Sequence, residues 1–210
     1  MCAKLRVRWT VTLQIPPQPW LSCNGCGGPR PFRTSGKARL NANGRSLDAW
    51  LIYRCIDCDK TWNRPIFERR NVRDIEPRIL AALQSNDPLC LQAEAFDLDA
   101  LRRKAQRIDE FPECSIVKDV LCEVRDWTHL EIELMVPLPA SLRLDRLLAS
   151  ELELSRMRLK ALHDRGALRI AVGQADNLRR RVRSGTVVVL DLSEEAGREQ
   201  LWRPLAAGIA

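Results

Sequence analysis

Two Cys-x-x-Cys pairs, Cys23–Cys26 and Cys55–Cys58, constrain this chain more than any other feature of it. Each pair offers two thiolates to one ion from a tight turn. Two such turns complete the tetrahedral shell that zinc prefers, with each sulfur about 2.3 Å from the metal. The 28 residues between the pairs exceed the usual spacing of roughly 15–20, and a long hairpin absorbs the excess. Pro31–Leu40 and Leu47–Arg54 read as its strands, around Asn41-Ala42-Asn43-Gly44, where Asn-Gly favours a tight reversal. Thr61–Glu68 reads as a further strand. Gly25 and Gly27 supply the backbone freedom a knuckle needs. The alternation of strand, knuckle, hairpin, knuckle and strand predicts an antiparallel zinc ribbon over residues 1–72. Cys23, Cys26, Cys55 and Cys58 are its expected ligands. Four thiolates leave no position for water, so the expected Zn2+ is structural; iron is the other occupant such a shell accepts. Neither pair sits at a strand-to-helix junction, where a redox Cys-x-x-Cys belongs. Cys2, Cys90, Cys114 and Cys122 have no paired spacing and read as ordinary thiols.

The 210 residues carry a net charge of +7. No apolar run approaches the roughly 18 residues that a membrane span needs, and Lys4, Arg6 and Arg8 interrupt any secretory segment. A cytoplasmic location, without a membrane partner, is therefore expected. Charge falls in blocks: +9 over residues 1–72, −6 over 73–142 and +5 over 143–192. These blocks suggest three units and a tail: 1–72, 73–140, 141–192 and 193–210. In the second unit, helices open at Glu76-Pro77 and Asp87-Pro88. Asp97 can cap a third, carrying Leu98, Leu101, Ala105 and Ile108. Ser115–Val124 and His129–Val136 follow as strands, with Asp126 and Trp127 in the connecting turn, so this unit reads as helices plus a β-hairpin. No nucleophile–base arrangement stands out, and no catalytic residue is assigned.

The third unit carries the functional signal. Leu144, Leu147 and Leu148 repeat at helical spacing. Ser155 stands where an N-cap belongs, before a helix that Gly166 stops. On that second helix Leu159 and Leu162 share an apolar arc, while Arg156 and Lys160 share the neighbouring stripe. Cations beside a helix N-terminus suit phosphate oxygens. Ala167–Val172 and Thr186–Leu192 read as strands, with Arg179, Arg180 and Arg181 between them.

Two helices followed by a small sheet resemble the alpha-L RNA-binding domain found in a ribosomal small-subunit protein, pseudouridine synthases and tyrosyl-tRNA synthetase tails. The resemblance rests on Arg143-Leu144-Asp145 with Leu148, on Ser155-Arg156, Lys160 and Gly166, and on Val182-Arg183-Ser184-Gly185-Thr186. It implies that Arg143, Ser155, Arg156 and Lys160 face RNA and that Asp145 organises the helix pair. The usual Val-Asn-Gly turn after the second helix is replaced near Gly173-Gln174, and Thr186 stands where an acidic residue usually follows the glycine. The chain as a whole is also similar to a bacterial family of uncharacterised proteins, through Pro31-Phe32-Arg33, Asn41-Ala42-Asn43-Gly44, the stretch from Asp48 to Cys55, and the stretch from Thr61 to Ile66. That likeness brings no activity with it.

The expected fold class is therefore α+β: an N-terminal zinc ribbon, a helical and β-hairpin middle, and a C-terminal alpha-L-like domain. The expected partner is structured ribosomal or transfer RNA, held mainly through phosphates. A DNA-binding or transcription-associated protein, or an adapter using the ribbon or the acidic middle as a protein surface, remains the alternative. An RNA-modifying enzyme lacks a recognisable cofactor loop.

Overall fold

The computed structural model describes residues 4–139, 141–171 and 177–208. The chain is a mixed α+β protein with two five-stranded sheets and divides into two compact units. One comprises residues 15–111; the other joins residues 1–14 to residues 112–210.

In the unit of residues 15–111, four antiparallel strands dominate: β2 (Gln18–Cys23), β3 (Gly28–Asn43), β4 (Ser46–Cys55) and β5 (Thr61–Asn71). They are ordered β5-β4-β3-β2, and β6 (Ile108–Asp109) extends the sheet beyond β2. The long hairpin expected between the cysteine pairs is β3 and β4, which turn at Gly44 and Arg45 with Asn43 opposite Ser46. Gly44 has φ +61°, a conformation that glycine adopts without steric cost. Along β4, Leu47, Ala49, Leu51, Tyr53 and Cys55 are buried while the alternate residues are not, the period of two that a one-sided sheet requires. Against that buried face pack α1 (Pro77–Ser85), α2 (Pro88–Ala95) and α3 (Leu98–Arg102), with Leu83, Leu91, Ala95 and Leu101 in one core with Phe32, Leu51 and Tyr53.

Proline opens α1 and α2 as the sequence suggests, and Asp87 and Asp97 accept the N–H of Cys90 and Ala100. The third helix is shorter than its apolar spacing implies. It stops at Arg102, and Ile108 belongs instead to β6, opposite Pro19. Arg64, on the helix-facing side of β5, is 2% exposed and reaches the Glu94 carboxylate and carbonyl at 2.7 and 2.8 Å.

The other unit departs further from the sequence reading. Its first strand, β1 (Lys4–Leu13), alternates strictly, with Leu5, Val7, Trp9, Val11 and Leu13 buried. It does not belong to the cysteine-bearing sheet. It lies between β7 (Cys114–Cys122), to which it is antiparallel, and β8 (His129–Met135), to which it is parallel. The expected hairpin of the two middle strands is thus absent, because β1 takes the place between them. β10 (Thr186–Asp191) pairs with β8, and β9 (Leu168–Ile170) with β10, for the order β7-β1-β8-β10-β9. The C-terminal strands accordingly extend a sheet that starts at Lys4 rather than forming a small sheet of their own. The boundaries drawn at residues 72 and 140 differ from the observed division for this reason.

The helices α4 (Leu144–Glu151) and α5 (Arg156–Asp164) bury Leu144, Leu147, Leu148, Leu159 and Leu162. The terminal segment is docked: in α6 (Arg198–Ala207), Trp202 and Ala206 are buried, Trp9 Nε1 donates to the Ala206 carbonyl at 2.7 Å, and Lys118 Nζ to that of Leu205. The charge blocks also change meaning. Lys4 and Arg6 pair with Glu131, and Arg8 with Glu133, across β1 and β8. Burial of Glu131 is outweighed by these two cations, which hold its carboxyl below the usual range.

Two outcomes follow. Glu94→Ala leaves the buried Arg64 guanidinium short of its carboxylate and should destabilise the protein by about 3 kcal/mol in urea unfolding. A depressed carboxyl stabilises the fold above its unfolded pKa, so the Glu131 contribution is lost as pH falls through the acid range below about 4. Acid unfolding followed by circular dichroism should begin at higher pH in Lys4→Met than in the parent chain.

Candidate functional site

The two knuckles face each other at one end of the β2–β5 sheet. The first follows β2, where the Cys26 and Gly27 N–H groups donate to the Cys23 carbonyl at 3.2 and 2.9 Å. The second follows β4, where the Asp59 N–H donates to the Cys55 carbonyl and the Cys55 N–H to that of Lys60. Cys23 ends β2 opposite Gly28 and Cys55 ends β4 opposite Phe32, so both flank the start of β3, and the turns after them bring the two pairs together. All four sulfurs lie within 4.8 Å of one another. Cys23 Sγ is 3.3 Å from Cys58 Sγ, and Cys26 Sγ is 3.9 Å from Cys55 Sγ. A tetrahedron with metal–sulfur bonds of about 2.3 Å has edges of about 3.8 Å, so the cluster has the dimensions of a four-sulfur shell.

The surroundings fit as well. A Cβ placed on Gly25 would sit 2.9 Å from both Cys58 Sγ and Lys60 Cγ. Gly25 is therefore needed for space rather than for backbone freedom, whereas Gly27, at φ +70°, supplies the freedom. Arg30 pairs with Asp57 at 2.7 Å and binds β3 to the second knuckle. Without a cation the thiols are driven apart in acidity. For Cys23, burial is outweighed by the Cys58 sulfur and the Cys26 and Gly25 backbone, which bring it down to about 7. The Cys58 sulfur and burial push Cys26 up to about 12. Four thiolates coexist here only around a metal ion. Among the other cysteines, Cys90 and Cys114 have thiols pushed up by burial, and Cys2 lies outside the described residues.

A second site lies on the other unit. Arg143, Asp145, Arg156, Lys160, His163 and Arg179 are among the residues around a groove of about 750 Å3 between α4, α5 and the segment at Asn177. Arg143 is the N-cap residue of α4 and makes a two-pronged pair with Asp145, at 3.0 and 2.6 Å. That pair is sited by the backbone: the Leu144 and Asp145 N–H groups donate to the Arg180 and Leu178 carbonyls. Arg156 and Lys160 are exposed, and no carboxylate among the described residues pairs with either. Ser155 is the N-cap of α5, its hydroxyl accepting the Arg158 N–H at 3.1 Å, so it shapes the helix end. Arg180 and Arg181 lie on the segment that crosses Arg143 and are not among the groove's lining residues. The departure near Gly173-Gln174 falls outside the described residues. His163, three after Lys160 on α5 and at the edge of the stripe that the sequence assigns to Arg156 and Lys160, also lines the groove.

No helix among the described residues is long and apolar enough to cross a membrane. A family model described as "Protein of unknown function (DUF1062)" matches residues 40–174, which takes in Cys55, Cys58 and the α4–α5 pair. No curated protein and no solved structure matches the chain.

Cys55→Ser should lower bound metal from one equivalent per chain to well below one, read by mass spectrometry under native conditions. Gly25→Ala should weaken metal retention against a chelator by at least about tenfold, because the added methyl must displace a ligand sulfur.

Proposed function

This chain belongs to the DUF1062 family, and we propose that it is a zinc-containing RNA-binding protein. In this reading residues 18–71 form a zinc ribbon in which Cys23, Cys26, Cys55 and Cys58 hold one structural Zn2+. The ion, when bound, supplies cross-linking of two turns and no catalysis, since four thiolates close its shell. The α4–α5 pair and the strands after it act as an alpha-L-like module, whose ligand is structured ribosomal or transfer RNA.

The observation that carries the reading is the convergence of Arg143, Arg156, Lys160 and Arg179 on one groove. Arg156 is the first residue of α5, which puts a cation in the helix's first turn. Arg143 is held in place by Asp145, while Arg156 and Lys160 have no carboxylate partner among the described residues. A fixed cation, two free ones and a helix N-terminus form a cradle for consecutive phosphates. Structured RNA fits such a cradle through backbone shape and 2′-hydroxyls rather than base edges.

Binding of a labelled transfer RNA to the full chain, followed by anisotropy across salt concentrations, tests this. Arg156→Glu with Lys160→Glu should weaken affinity by at least about tenfold and lower the salt slope by about 2, while the thermal midpoint stays close to the parent's. Unchanged affinity, or equal affinity for duplex DNA at matched salt, would overturn the reading.

A further inference from the structure

The sheet that carries the cysteine knuckles has a second face. Along β4 the side opposite the core presents Trp50, Ile52 and Arg54. Cross-strand partners extend this row on both sides. On β3, Arg39 stands opposite Trp50 and Arg33 opposite Arg54. On β5, Pro65 stands opposite Trp50, Asn63 opposite Ile52 and Thr61 opposite Arg54. Arg33, Arg39, Arg54 and Asn63 are exposed, and Trp50 and Ile52 are half-buried among them. The helices of this unit pack on the other face, so the array is turned outward.

Its electrostatics are lopsided. Arg33 and Arg54 are directly opposed like charges, which destabilise a sheet on their own. Three carboxylates adjoin the array. Asp48 accepts the Arg69 N–H, Glu68 accepts Trp50 Nε1 at 3.3 Å, and Asp59 stands 3.7 Å from Arg33. Arg39 and Arg54 have no carboxylate partner among the described residues. An ordinary solvated sheet face alternates signs or carries short polar groups. This one sets an indole and an isoleucine between uncompensated guanidiniums.

We propose that this face is a docking surface for single-stranded RNA. Trp50, with Ile52 beside it, offers a platform on which a base stacks, which any base can do because every base has a π-face. Arg39 stands level with Trp50 on β3 and Arg54 two residues beyond Ile52 on β4, about 13 Å apart in strand direction at two residues per 6.7 Å, and they take phosphates of the stacked nucleotide and of one further along the strand. Asn63 supplies an amide to a base edge next to the platform. The inference rests on the RNA-binding reading for the choice of ligand, but it shares no residue with the α4–α5 groove. The face would grip an unpaired segment while the groove grips a folded one, and two linked contacts raise avidity where the RNA offers both.

The test uses the full chain with its metal and a fluorescein-labelled oligouridine. Trp50→Ala should weaken binding about tenfold, and Trp50→Phe should retain most of it, since an aromatic face remains. Arg39→Gln with Arg54→Gln should lower the salt slope by about 1.4, two contacts at roughly 0.7 each for a single strand. Arg156→Glu with Lys160→Glu should leave oligouridine binding unchanged, which separates failure of this surface from failure of the groove. If Trp50→Ala loses metal or its thermal midpoint, the solvent-facing arginine pair carries the test alone. Oligouridine affinity untouched by the arginine double variant would overturn the proposal. So would equally tight binding of duplex RNA or of an acidic polypeptide to the same face.

Discussion

Four sulfurs within 4.8 Å of one another set the condition that the cysteine-bearing unit must satisfy. Thiols so close cannot all ionise in the absence of a cation, and the opposite displacements of Cys23 and Cys26 from the ordinary thiol value express that conflict. The sheet holds the cluster together, because Cys23 ends β2 and Cys55 ends β4, with β3 between them. A metal ion held by the cluster would in turn tie the ends of those strands to each other. Gly25 lies at the closest point of contact, where no side chain fits beside Cys58. The outward face with Trp50, Arg39 and Arg54 depends on the same arrangement, since it is the reverse side of the strands whose inner face carries the core.

The other unit is organised by burial of one strand. β1 carries five buried apolar residues in strict alternation and sits between β7 and β8, so both its edges are paired. Its outward residues Lys4, Arg6 and Arg8 meet Glu131 and Glu133. Positive charge counted in the N-terminal block and negative charge counted in the middle block thus neutralise each other on one sheet. On α5, Arg158 pairs with Glu195, but Arg156 and Lys160 meet no such partner among the described residues. What remains available to an anionic ligand is a subset of the basic residues, chosen by folding rather than by abundance.

Much of the local structure was legible. The knuckles, the reversal at Gly44, the strands after it, the proline-led helices, the Ser155 cap and the Gly166 stop all depend on interactions among residues a few positions apart. Such interactions leave their mark in spacing and residue type. The gathering of four sulfurs into one cluster was legible for the same reason. Less visible was the end of α3, where Ile108 continues a helical repeat yet pairs with Pro19 in a strand. The docking of α6 was also hidden, because its anchors, the Trp9 indole and Lys118, lie far away in the chain.

By itself, the sequence determined which residues form turns, caps and alternating strands, and which four thiols come together in a cluster that could hold a metal ion. These are decided by short-range geometry and by the coordination preference of sulfur. Only the tertiary structure decided that β1 separates β7 from β8, that the first strand and the last helices share a unit, and which arginines pair with carboxylates. Strand pairing between Lys4 and His129 is set by the burial of whole faces against one another, and a pattern of period two names a face without naming its neighbour.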